Sequence, residues 1–106
     1  MGRENPIPVR LKEARQRAGI TQKDLGIRIG MEPSSASGRM NHYEKGRHTP
    51  DIGTLQRMAD ELGVPLSYFF CEDEASAELV CLIGALTVEQ KDALIKQLKA
   101  QQKQPD

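Results

Sequence analysis

The chain has 106 residues, 38% of them hydrophobic and 28% charged. This fits one soluble globular domain, or a small domain with an appendage, and excludes a multi-domain enzyme and a disordered chain. Aromatic residues make up only 4%, with no Trp, so Leu, Ile, Ala and Met must fill the core, which favours helices over sheets. The net charge of zero hides a division: residues 1–50 carry ten Lys/Arg against five Asp/Glu, and residues 51–106 the reverse, placing a polyanion-facing front before an acidic rear.

Met1–Pro8 holds Gly2, Pro6 and Pro8 among polar residues and reads as an irregular arm. It shows no charged segment followed by an apolar stretch, so no signal peptide is expected. From Val9 the pattern turns helical. Leu11, Ala14, Arg15 and Ala18 share a face, and Gly19 is a natural stop. Thr21 precedes a second helix as its N-cap, with Asp24 three positions on; Leu25 and Ile29 lie one turn apart, and Gly30 ends it. Glu32–Ser35 is turn chemistry. A third helix then runs from about Ser35 to Lys45, with Ala36, Met40 and Tyr43 as its inward stripe and Gly46 at its end. Asp51 caps a fourth, carrying Ile52, Leu55, Met58, Ala59 and Leu62 and closed by Gly63. Val64-Pro65 leads into a short apolar helix, Leu66–Phe70.

The acidic stretch Glu72-Asp73-Glu74 reads as a hinge. After it, Leu79, Leu82, Ile83 and Leu86 form a sixth apolar stripe. Thr87 with Gln90 makes a capping box, and Leu94, Ile95 and Leu98 mark a seventh helix before a polar tail at Gln101–Asp106. No segment alternates apolar and polar residues long enough to be a strand, so the expected fold is all-α. It divides into an arm (1–8), a five-helix domain (9–71) and a C-terminal helical pair (72–106). The longest apolar run, Leu79–Leu86, is far short of the roughly 20 residues that cross a bilayer, so no membrane association is expected. Cys71 and Cys81 have neither CxxC nor metal-type spacing. Reduced thiols in a cytoplasm, with no metal and no cofactor, are the expectation, and apolar packing explains the cysteines better than a redox role.

The second and third helices, joined by a tight turn, form a helix-turn-helix pattern. At about 100° per residue, with Ala36, Met40 and Tyr43 inward, Gly38, His42 and Lys45 point outward. Ser34 and Ser35 lie near them, and Arg39 and Asn41 flank the face. None of these is acidic, which suits a major groove, although a solvated surface would look the same in isolation.

The surrounding order supplies more. Thr21-Gln22-Lys23-Asp24-Leu25, Ile29-Gly30, Tyr43-Glu44-Lys45-Gly46-Arg47, Pro50, Leu55, Ala59 and Leu62-Gly63-Val64 together resemble the lambda repressor-like, or Xre-like, helix-turn-helix family over roughly Val9–Phe70. The resemblance implies a five-helix domain binding double-stranded DNA, usually as a homodimer on a (pseudo)palindromic operator, in a bacterial or phage regulator. By position it assigns Ser37, Gly38, Arg39 and His42 to base edges or nearby phosphates, with Asn41 as an addition. Arg39 is the strongest guanine reader because its fork matches O6 and N7. It assigns Gln22 to a phosphate, with Thr21, Lys23 and Ser35 beside it, and Lys45, Arg47 and His48 to the backbone beyond the third helix. Arg15 and Glu44 match a basic–acidic pair that ties the first helix to the third. The chain departs from the family in a longer turn after the second helix, and in Gly26 and Gly38 inside helices, each costing about 1 kcal/mol against Ala. Close helix packing at Gly26 and close approach to DNA at Gly38 are the expected compensations.

Two rivals remain. An enzyme needs a nucleophile–base–electrophile set, and His42 and His48, the only histidines, have no such partners in sequence, so no enzymatic activity is expected. A protein-interaction module of antitoxin type would use the C-terminal helices to bind a partner protein. A homodimer through Leu79, Leu82, Ile83, Leu86, Leu94, Ile95 and Leu98 is the favoured use of those stripes.

Overall fold

The structure, a computed structural model, describes residues 5–103. These fold as α1 (Ile7–Ala18), α2 (Gln22–Arg28), α3 (Pro33–Glu44), α4 (Ile52–Leu62), a 3₁₀ helix (Leu66–Phe70), α5 (Glu74–Gly84) and α6 (Val88–Lys103), with no strand among the described residues. Each of the seven expected segments is helical, and the fifth takes the tighter 3₁₀ form.

The boundaries differ in three places. The first helix starts at Ile7 rather than Val9. The Ile7 N–H donates to Asn5 Oδ1 at 3.0 Å, and the Arg10 N–H reaches the Pro6 carbonyl at 3.0 Å. Pro8 falls in the first turn, where a missing N–H breaks no helical bond. The expected arm is thus shortened by two residues, and Met1–Glu4 lie outside the described residues. The third helix starts at Pro33, with Glu32 extended before it, and ends at Glu44. Much of the segment expected to be a turn is therefore this helix's first turn. The last helix continues through Lys103, taking in part of the expected tail; residues 104–106 lie outside the described residues.

The core is built by Leu11, Leu25, Ala36, Met40, Leu55, Met58, Ala59, Tyr68 and Phe69, all fully buried. Tyr68 and Phe69 pack edge to face, with ring centroids 5.9 Å apart. The caps form where expected. Thr21 Oγ1 accepts from the Asp24 N–H at 3.0 Å, and Asp51 Oδ1 from the Thr54 N–H at 2.8 Å. Thr87 and Gln90 exchange backbone-to-side-chain bonds at 2.9 and 3.1 Å.

The segment expected as a hinge is tied down. The Arg10 side chain is buried; its Nε donates to the Cys71 carbonyl at 2.9 Å. Its Nη1 donates to Glu13 at 3.0 Å and pairs with Glu74 at 3.3 Å. The Tyr68 hydroxyl donates to Glu13 as well. Burial by itself pushes the Glu13 carboxyl up, but the bonds from Tyr68 and Arg10 outweigh it and hold the group below the ordinary glutamate value. Ala77 is buried in the domain core, and Val80 and Cys81 pack against it. So α5 belongs in part to the domain it follows. By contrast α6 buries no residue, and Leu79, Leu82, Ile83, Val88, Ile95 and Leu98 are exposed. The molecule measures 58 × 37 × 22 Å with a radius of gyration of 16.5 Å. A compact domain of this length has about 13 Å.

Candidate nucleic-acid interface

The unit formed by α2 and α3 is held by one steric and one polar device. A Cβ placed on Gly26 would lie 2.8 Å from Ala36 Cβ and 3.0 Å from Met31 Sδ. The backbone of α2 thus approaches α3 closer than any side chain permits, the compensation expected at this glycine. The polar device joins three helices. Arg15 Nε donates to Glu44 Oε2 at 2.5 Å and Arg15 Nη2 to Glu44 Oε1 at 3.0 Å. Arg15 Nη1 caps the Ile20 carbonyl at 3.0 Å. Gln22 Nε2 donates to Glu44 Oε1 at 3.0 Å and to Asn41 Oδ1 at 3.2 Å. With the Glu44 side chain 3% exposed and Arg15 12%, this is a buried, bidentate pair in which the acid is fully partnered.

The polar device changes the face of α3. The fully inward stripe is Ala36, Met40 and Glu44, while Tyr43 is half-buried at its margin. A stripe drawn from apolar residues alone passes over a buried acid whose partners sit on other helices.

On the opposite side, Ser37, Gly38 and Arg39 are exposed. Nothing lies within 4 Å of a Cβ built at Gly38, so the helix surface is open there. Ser35, Asn41 and His42 are half-buried on the same helix. Thr21 and Lys23 are exposed at the start of α2, whereas Gln22 is half-buried and engaged with Asn41 and Glu44. Lys45, Arg47 and His48 are exposed beyond α3, where the chain folds back. The Lys45 N–H bonds the Asn41 carbonyl and the Arg47 N–H the His42 carbonyl, both at 2.9 Å.

This fold-back lays the His48 ring on His42, with centroids 5.2 Å apart and planes 10° from parallel. Arg39, His42, Tyr43, His48 and Thr49 line an open cleft of about 330 Å³ there. The sequence reads Tyr43 as part of the inward stripe and places neither it nor Thr49 among the site residues. They join the site through the loop's return over α3, which linear spacing does not encode. Among the described residues no group of three or more His, Cys, Asp or Glu is placed to hold a metal ion, and no helix is long and apolar enough to cross a membrane.

A family model described as helix-turn-helix matches residues 11–69. The HTH-type transcriptional regulator ImmR of Bacillus subtilis (strain 168) is 34% identical over 67 residues, which is 63% of this chain and 50% of ImmR. The chain thus spans about half the length of that curated relative. The crystal structure of transcriptional regulator BswR is 42% identical with a TM-score of 0.80, covering 89% of this chain and 93% of that one. Coverage of that extent reaches past the helix-turn-helix into the C-terminal helices.

Proposed function

The chain belongs to the helix-turn-helix family, and from that premise we propose that it is a transcriptional regulator that binds double-stranded DNA in a sequence-specific way. The observation that carries the reading is the α3 surface. It is open at Gly38, carries Arg39, is fixed to α2 by the Gly26–Ala36 approach, and is flanked by Lys45 and Arg47. A rigid helix with an unobstructed polar side and cations at its end suits a major groove.

In this reading Ser37, Gly38, Arg39 and His42 meet base edges, with Asn41 beside them. Thr21, Lys23, Ser35, Lys45, Arg47 and His48 meet phosphates. Gln22 reaches a phosphate by turning from its bonds to Asn41 and Glu44. Arg15 and Glu44 fix the frame. The protein acts as a homodimer, with Leu79, Leu82, Ile83, Leu86, Leu94, Ile95 and Leu98 supplying the contact between copies. It occupies a (pseudo)palindromic operator as a repressor in a bacterial or phage-infected cytoplasm, excluding other proteins from that stretch of DNA.

Selection of duplexes from a random pool, followed by titration at several salt concentrations, tests the reading. An enriched motif of two related half-sites is expected. The slope of log K against log salt should steepen by about 0.9 for each phosphate neutralised. No enrichment and a salt-independent affinity would overturn it. A second reading, of antitoxin type, is favoured by the exposed Leu79, Leu82, Ile95 and Leu98 if they cover a different protein. A chain that stays monomeric in solution would favour it over the homodimer.

A further inference from the structure

The reading above gives His42 and His48 separate contacts, a base edge and a phosphate, and leaves unused the fact that their imidazoles are stacked in the cleft at the end of α3. We propose that this cleft is a DNA-phosphate site whose occupation takes up a proton on the His42–His48 pair, so that affinity for duplex rises as pH falls through the imidazole range. The inference rests on the DNA-binding reading and deepens it.

The argument is one of charge balance. From α3 the pair is faced by Arg39 and Tyr43, with Lys45 just past the helix end; from the loop it is faced by Thr49, with Arg47 adjacent. No residue lining the cleft is acidic. Glu44, on the same helix, is turned away and fully engaged by Arg15 and Gln22. Asp51, two residues past Thr49, is engaged as the cap of α4. A protonated imidazole here has cations for neighbours and no counter-charge in the cleft. A DNA phosphate supplies the missing charge. The proton comes from the buffer acid, which is left as its conjugate base, onto a ring nitrogen of the pair, and no other bond changes. Parallel rings also let a protonated imidazole lie on the face of a neutral one, a favourable cation–π arrangement.

The direction follows from linkage. The DNA-bound state holds more protons than the free state, so binding strengthens as pH falls and weakens as it rises. The limit is about tenfold per pH unit for each proton taken up. A His48 without His42 behind it would be one more surface imidazole. The stack fixes its ring over the cleft and gives the proton two rings to occupy.

The test uses the full chain and the duplex selected from the random pool, at fixed salt. Affinity is measured by fluorescence anisotropy from pH 8.0 to 6.0, for wild type and for the double variant H42Q/H48Q, whose side chains keep hydrogen-bonding capacity but cannot titrate. Circular dichroism across the same range shows that both remain folded. Wild-type affinity should rise at least about threefold over the interval, with a clear loss of that rise in the variant. Calorimetry in two buffers of different ionisation enthalpy reads the proton uptake without any substitution. A flat wild-type profile, an unchanged rise in the variant, or zero proton uptake overturns the inference and leaves DNA binding standing. Failure to bind any duplex at any pH overturns both.

Discussion

Two glycines of the α2–α3 unit have opposite surroundings, and the difference separates a requirement of the fold from one of function. At Gly26 a methyl group would press on Ala36 Cβ at 2.8 Å, inside the rigid core of the unit. We expect Gly26→Ala to lower stability by about 1–3 kcal/mol in urea unfolding, because overpacking exceeds the gain of roughly 1 kcal/mol in helix propensity. At Gly38 the same methyl group meets nothing. Gly38→Ala should therefore stabilise the free protein by up to about 1 kcal/mol and yet weaken duplex binding. Unaltered binding by this variant would show that the DNA does not approach at Gly38. Arg39→Ala should cost about 1–3 kcal/mol of binding and relax preference at one base pair in each half-site. An unchanged selected motif would show that Arg39 reads no base. The Arg15–Glu44 pair is legible in the sequence because it has a fixed place in a known pattern, and Gly26 because a glycine inside a helix departs from that pattern and calls for a compensating close approach. The burial of Glu44 in the stripe, and the cleft with Tyr43 and Thr49, were not. Both depend on which side chains from distant segments come to satisfy or enclose a position.

At the scale of elements, the sequence marked helix ends well where a side chain does the capping. Thr21, Asp51 and Thr87 all cap as their spacing implies. It marked starts poorly where proline was involved. In the sequence Pro8 and Pro33 look like parts of an arm and a turn, but in a first turn proline loses nothing and brings a ready-made φ. The join between α1 and α5 was also illegible, since Glu72-Asp73-Glu74 looks like a charged linker until Arg10 is seen beneath it. That join makes a pH prediction. Glu13 titrates below its ordinary value in the folded state, so its contribution to stability is complete above the ordinary glutamate range. It is lost as pH falls through the lower folded-state value. Thermal unfolding of wild type should therefore show a loss of stability below about pH 4.3 that is smaller in Glu13→Gln, a variant already weakened at pH 7. Equal acid sensitivity in the two proteins would mean that the carboxylate's bonds to Arg10 and Tyr68 contribute nothing net.

At the scale of the whole molecule, an all-helical chain with a helix-turn-helix unit in its basic half is legible from composition, charge division and motif order. Less legible was how unevenly the C-terminal pair is attached. Deleting everything after Glu74 would remove Ala77 from the core, so a failure of such a fragment would say little about association. Substitution on α6 is the cleaner test. Ile95 is 48% exposed and Leu98 46%, so replacing both with Glu removes no core contact from the single chain. Surface changes of this kind usually alter stability by no more than about 0.5 kcal/mol each. If α6 joins two copies, the same carboxylates are buried without partners at the interface, where each costs several kcal/mol. Sedimentation should then give twice the chain mass of 11.8 kDa for wild type and the single mass for Ile95→Glu/Leu98→Glu. Binding to a two-half-site operator should fall much more than binding to an isolated half-site, because two recognition helices about 34 Å apart act on one duplex only while joined. A variant that remains dimeric and binds the paired site as tightly as wild type would place the contact between copies elsewhere and leave the apolar side of α6 for another protein.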